Sequence, residues 1–191
     1  MNDRQVGDLS ACNFDKHLFQ PLFHVRRGGK ITILPVALGE SEYQFVTGLT
    51  HWCDGHKATL EKDGRELFLL RNLSRGKGVG FFEAGNFHPD FILWMLDGGK
   101  QYITFIEPHG LLHEGPASEK ILFHKRIKDV EQRLQDPTVI LNSFILSWTR
   151  YPQLKWDSTQ TELEERRVLF MTDDRDNYID KLFARLTGMI K

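Results

Sequence analysis

Cysteine is scarce in this chain. Cys12 and Cys53 are the only two among 191 residues, too few for a disulfide framework, so the expected setting is a reducing cytoplasm. No stretch approaches the roughly 18 apolar residues of a membrane span. The opening MNDRQVGDLS lacks the apolar centre of a signal peptide, so no membrane role is expected. Internal repeats and low-complexity tracts are missing. Charge of one sign is missing too: 25 Lys and Arg against 26 Asp and Glu leave a net charge of −1. A polyanionic partner would have to be held by a local basic patch, not by the field of the whole molecule. The phosphate-binding pattern G-x-x-x-x-G-K-[ST] is absent, because GKGVG at 76–80 is too short and has no Ser or Thr. What remains is 40% hydrophobic and 27% charged residues, a soluble globular composition that can bury a core without staples. One domain over 1–191 is expected: a lead-in at 1–30, a core at about 31–150, and a C-terminal strand and helix at 151–191.

Periodicity sets the order of elements. KITILPVAL starts as a short strand-like run that Pro35 interrupts. In GESEYQFVTGLTHWC, the residues Phe45, Val46, Leu49, Trp52 and Cys53 recur at three- and four-residue steps, a helix with Ser41 as its expected N-cap. ELFLLRNL reads as a strand and SRGKGVG as a flexible loop. FFEAGNF, HPDFILWML and KQYITFIEP follow as a strand-rich block punctuated by Gly, Pro and Asp. An amphipathic helix carries Ile121, Leu122, Ile127, Val130 and Leu134 and stops near Pro137. TVILNSFILSWT and RRVLFM are β-prone, and a last helix puts Tyr178, Ile179, Leu182, Phe183 and Leu186 on one face. This order predicts an α/β or α+β domain with a mixed sheet covered by helices.

The chemistry gathers in NFHPDFILWMLDGGKQYITFIEPHG, residues 86–110. DGG joins two apolar runs as a hairpin. Asp90 opens the first strand and Glu107 closes the second, so antiparallel pairing brings both to one edge of the sheet. His109, two residues beyond Glu107, points to the same face of an extended strand. Two partly buried carboxylates side by side repel unless a proton or a cation lies between them. Oxygen ligands favour Mg²⁺ or Mn²⁺, and a histidine tilts the choice toward Mn²⁺. Glu42 shares the stripe of Phe45, Val46 and Leu49 and so belongs to the apolar face of its helix, where the same cation is a candidate partner.

PDFILW followed by ITFIEPHG resembles the PD-(D/E)XK nuclease signature. More closely, KHLFQPL, ITILPVALGESEYQFVTGL, LFLLRN, FEAGNFHPDFILW, ITFIEPHGL and LNSFILSWT resemble the C-terminal nuclease portion of type III restriction-like DEAD/DEAH helicases, over roughly residues 15–190. The resemblance implies a restriction-endonuclease-like mixed sheet flanked by helices and a metal-dependent DNA endonuclease, working in restriction or phage defence. It implies metal binding by Asp90, Glu107 and the carbonyl of Pro108, with Glu42 as the glutamate of the first helix. His109 stands where the pattern places Lys; it can act as a general base near neutral pH but is no permanent cation. The helicase part is absent, so the resemblance makes this a separated module or a fragment of a longer chain. DNA phosphates are expected at Arg71, Arg75 and Lys77 around the Gly-rich loop.

Plainer readings stand beside these. Asp90 can be a capping aspartate, Glu107 an edge-strand glutamate, Glu42 a helix-N-terminal glutamate favoured by the macrodipole, and His109 a loop histidine. Lys125, Arg126 and Lys128 read as a solvated helix face. HWCDGH lacks the second Cys-bearing element of a zinc tetrad, and HGLLH lacks the Glu of a metalloprotease helix. The alternative to an enzyme is a non-catalytic DNA-binding or protein-interaction module on a degenerate nuclease fold.

Overall fold

The computed structural model describes residues 4–6 (backbone only), 8–18, 22–28, 37–72, 79–80 and 87–187. The strand-like start of KITILPVAL, most of the Gly-rich loop with Arg75 and Lys77, and the FFEAGN stretch lie outside these residues.

Two sheets form. The smaller is antiparallel, in the order β1 (Arg4–Val6), β2 (Leu9–Cys12) and β4 (Leu22–Val25). The sequence reads this segment as a lead-in, because strands of three or four residues carry too few alternations to show a period. Phe14 and Leu22 are nonetheless buried with the main core. The larger sheet has six strands in the order β3-β5-β6-β7-β8-β9: β3 (His17–Leu18), β5 (Glu66–Arg71), β6 (Phe91–Asp97), β7 (Lys100–His109), β8 (Val139–Ser147) and β9 (Val168–Phe170). Pairing is antiparallel for β5–β6 and β6–β7, and parallel for β3–β5, β7–β8 and β8–β9. The molecule is therefore α/β, a mixed six-stranded sheet flanked by helices.

The hairpin β6–β7 is the centre of that sheet. Asp97 pairs with Lys100 across Gly98 and Gly99, both at positive φ (55° and 82°), the two-residue turn whose twist suits flanking strands. Register then runs to Phe91↔Ile106. Alternation divides the two faces. Phe91, Leu93, Met95, Tyr102 and Ile106 face helix α1 (Glu40–Asp63) and helix α4 (Tyr178–Thr187), while Ile92, Phe105 and Leu141 meet Phe123 and Ile127 of helix α2 (Glu119–Leu134).

Helix α1 begins two residues before the expected cap. Gly39 is the N-cap, and the Glu42 carboxylate accepts from its amide at 2.5 Å. Helix α2 starts at Ser118, whose hydroxyl accepts from the Ile121 amide, and ends at Gln135 in the left-handed region, two residues short of Pro137. Its buried residues are Ile121, Phe123 and Ile127, whereas Leu134 is exposed. A six-residue helix, α3 (Gln160–Glu165), precedes β9 behind a Thr159–Glu162 capping box. Helix α4 buries Tyr178, Ile179, Leu182, Phe183 and Leu186, the full expected stripe. Among the described residues no helix is long and apolar enough to cross a membrane.

Candidate active site

The register of the hairpin dictates the site. One step beyond the last pair, Phe91↔Ile106, Asp90 comes opposite Glu107, and directly opposed residues project to the same face. Asp90 is held from behind. Its carbonyl accepts from the Asn72 amide at 2.8 Å. The Asn72 side chain donates to the carbonyls of Pro89 (2.8 Å) and Val79 (2.7 Å) and accepts from the Val79 amide (2.9 Å). Asn72 thus ties the exit of β5 and the returning loop to the Pro-Asp entry of β6.

Burial, then the carboxylates of Glu107 and Glu42, push the Asp90 carboxyl up to about 8, against the opposing pull of Lys120 and Arg71. Near neutral pH, Asp90 therefore holds a proton where a cation could sit. Glu107 is 6% exposed. Its Oε1 accepts from Lys120 Nζ at 3.1 Å, while Oε2 is buried and has no hydrogen-bond partner among the described residues. A buried carboxylate oxygen left unsatisfied is costly, and a small hard cation beside Asp90 would satisfy it.

Pro108 presents the third oxygen. The His109 carbonyl accepts from the Trp148 amide on the β8 side, so in the alternating strand backbone the Pro108 carbonyl turns the opposite way, toward the start of β6. Ser41 Oγ donates to it at 3.0 Å, leaving its second lone pair. Proline is tolerated there because it lies beyond Phe91, where β6 begins, so no ladder partner on that side needs its missing N–H. Among the described residues, no group of three or more His, Cys, Asp or Glu side chains is placed to hold a metal ion. The donor set that fits Mg²⁺ or Mn²⁺ is thus two carboxylates and one carbonyl, with water completing the shell.

A lysine from the neighbouring helix reaches the Glu107 carboxylate. Lys120, in the first turn of α2, lies 3.1 Å from Glu107 Oε1, 3.5 Å from His109 Nε2 and 3.7 Å from Glu114 Oε1. His109 Nε2 also lies 3.5 Å from Glu114 Oε1. The signal for Lys120 was legible in principle: a cation in the first turn opposes the helix dipole unless a carboxylate meets it. Asn72 carried no such signal.

Glu42 faces the same end of the sheet, as its effect on Asp90 requires, yet its hydrogen bonds are those of the plainer reading. It reaches back to the Gly39 amide and lies 3.4 Å from Arg71. Arg71, at the end of β5, is largely buried and holds both the Ala37 carbonyl at 3.1 Å and the Glu42 carboxylate. Arg126 and Lys128 pair with Glu119 and Glu131 on their own helix. Comparison with protein-family models, characterised proteins and solved structures finds no match to this chain.

Proposed function

We propose that this protein is a metal-dependent DNA endonuclease of restriction-endonuclease-like fold, hydrolysing phosphodiester bonds at the open end of the β6–β7 hairpin. The observation that carries the reading is the placement of Asp90 one step beyond the Phe91–Ile106 pair, opposite Glu107. The Asp90 carboxyl is pushed up by burial and by the Glu107 charge, and Glu107 Oε2 is buried with no partner among the described residues. Asp90, Glu107 and the Pro108 carbonyl would hold Mg²⁺ or Mn²⁺. Bound there, such an ion would polarise a phosphate oxygen and acidify a water. The chain's own residues supply the rest. Lys120 brings a fixed positive charge to the side of Glu107, suited to stabilising charge that builds on the phosphate. His109 Nε2, beside Lys120 and Glu114, can orient the attacking water or take its proton. Arg71 and Ser41 keep Glu42 and Pro108 in place. The resemblance adds a role in restriction or phage defence, in the cytoplasm and beside a DEAD/DEAH helicase module of the same or a longer chain.

The test is nicking of supercoiled plasmid in Mg²⁺, Mn²⁺ or EDTA. Wild type should nick with either metal and not in EDTA, and Asp90→Asn and Glu107→Gln should lose about 10²-fold or more. Metal-independent nicking, or variants as active as wild type, would end this reading.

One observation favours the second reading, a non-catalytic DNA-binding or interaction module: the Lys120 ammonium pairs with Glu107 at 3.1 Å and so balances the carboxylate charge that a metal would meet. Such a module would bind DNA equally well in EDTA and never nick it.

A further inference from the structure

Beside the candidate site lies a second feature that the hydrolytic chemistry does not use. Past the end of β8, Trp148 keeps its side chain 40% exposed while its backbone is fixed on both sides. Its amide donates to the His109 carbonyl at 3.0 Å, and its carbonyl accepts from Thr172 Oγ1 at 2.9 Å. An exposed indole on an immobilised backbone costs apolar hydration without contributing to the core.

Trp148 borders a cavity of about 270 Å³ between α1, the end of β8 and the start of α4, lined also by Gln44, Thr47, His51, Arg175, Asp176 and Tyr178. Gly48 shapes its floor, since a Cβ there would lie 2.5 Å from the Tyr178 hydroxyl. The cavity opens on the face of the sheet opposite Glu107 and Lys120 and is tied to the site only at the strand ends, in two ways. Trp148 is hydrogen-bonded to His109, and Gln44 lies one helical turn beyond the Ser41 that touches Pro108.

The geometry points to a pocket for a single unpaired nucleobase of the strand being cut, stacked on Trp148 with its polar edge toward Gln44, Thr47 and His51 and its backbone phosphate toward Arg175. The size falls just below the usual range of ligand sites, about 300–1,000 Å³, which suits one planar heterocycle and not a base pair. An exposed aromatic face with amide, hydroxyl, imidazole and guanidinium groups around it is how proteins hold bases drawn out of a helix. The inference rests on the nuclease reading and adds that the substrate strand bends over the end of the sheet and is unpaired, or becomes so, a short way from the scissile phosphate.

The experiment measures binding of a fluorescein-labelled single-stranded oligonucleotide by anisotropy in EDTA, with an abasic version of the same strand beside it, and plasmid nicking in Mn²⁺ in parallel. Trp148→Ala should weaken binding about 5- to 100-fold, Trp148→Phe should keep most of it, and Arg175→Ala should weaken intact and abasic strands alike. The abasic strand should bind wild type less well than the intact one, and Trp148→Ala should no longer tell them apart. If wild type binds and nicks while Trp148→Ala does both unchanged, the base pocket is wrong and the nuclease reading stands. If wild type neither binds the strand nor nicks, both are wrong.

Discussion

Lys120 occupies a place that a helix disfavours for a cation, the first turn of α2, and three side chains make it tolerable: Glu107, Glu114 and His109, at 3.1, 3.7 and 3.5 Å. Lys120→Ala should lower nicking about 10²-fold or more, the low end for positioned acid–base and electrostatic groups. Lys120→Arg should recover part of it. With that charge in place, His109→Lys should change the rate by no more than about tenfold. The check is kcat under saturating Mn²⁺, with nicking by His109→Ala followed across pH 6–8. Asp90 gives a prediction about stability. Its folded-state pKa, about 8, lies above its unfolded value near 3.9. The folded metal-free protein therefore holds the extra proton between those values, and stability falls as pH rises through that window. Asp90→Asn should remove this slope and raise the melting temperature in EDTA at pH 8 more than at pH 5, with each kcal/mol relieved worth about 2–4 °C in a chain of this size. Asp90, Glu107, Pro108 and His109 were legible because they belong to one hairpin, where register follows from the sequence. Asn72 was not, because it meets its partners through tertiary contacts that no local period encodes, and Lys120 showed only as a first-turn cation in need of a carboxylate, with no local signal for which one.

At the level of elements, the β6–β7 hairpin sets the alignment of the two carboxylates, and its turn is the part to perturb. A Cβ at Gly98 or Gly99 would meet nothing within 4 Å, yet both residues have positive φ. Any effect there is backbone strain alone. Gly99→Ala, at φ 82°, should cost about 1–2 kcal/mol in urea unfolding, whereas Gly98→Asn, at φ 55°, should cost much less because Asn tolerates the left-handed region. The turn and the α4 stripe could be read in full, since Gly-Gly between apolar runs and a strict 3.6-residue period are local signals. The start of α1 could not. Ser41 has the chemistry of an N-cap, but its hydroxyl serves Pro108, and the reach of Glu42 back to Gly39 starts the helix earlier. The two-residue β3 exists only through its pairing with β5, which no periodicity could announce. Helix α3 is a different case: T-x-x-E at 159–162 is a capping-box pattern that the sequence did carry.

For the whole molecule, the parallel strands β7, β8 and β9 all run toward the end that carries Pro108, His109 and Trp148. Ligands of α/β sheets bind outside the carboxyl ends of such strands. The α/β class and the helix-covered mixed sheet follow from the order of apolar periods. The small N-terminal sheet does not, since its strands of three or four residues are too short to show a period, although they lie close together in the chain. The central claim is that the Asp90–Glu107 end exchanges a proton for a divalent cation. Calorimetric titration of Mn²⁺ into the metal-free chain at pH 7, in two buffers of different ionisation enthalpy, tests it most directly. The account predicts one saturable site per chain, release of about one proton on binding, affinity that rises as pH approaches 8, and loss of binding in both Asp90→Asn and Glu107→Gln. No binding by wild type, or equal binding by wild type and both variants, would contradict it.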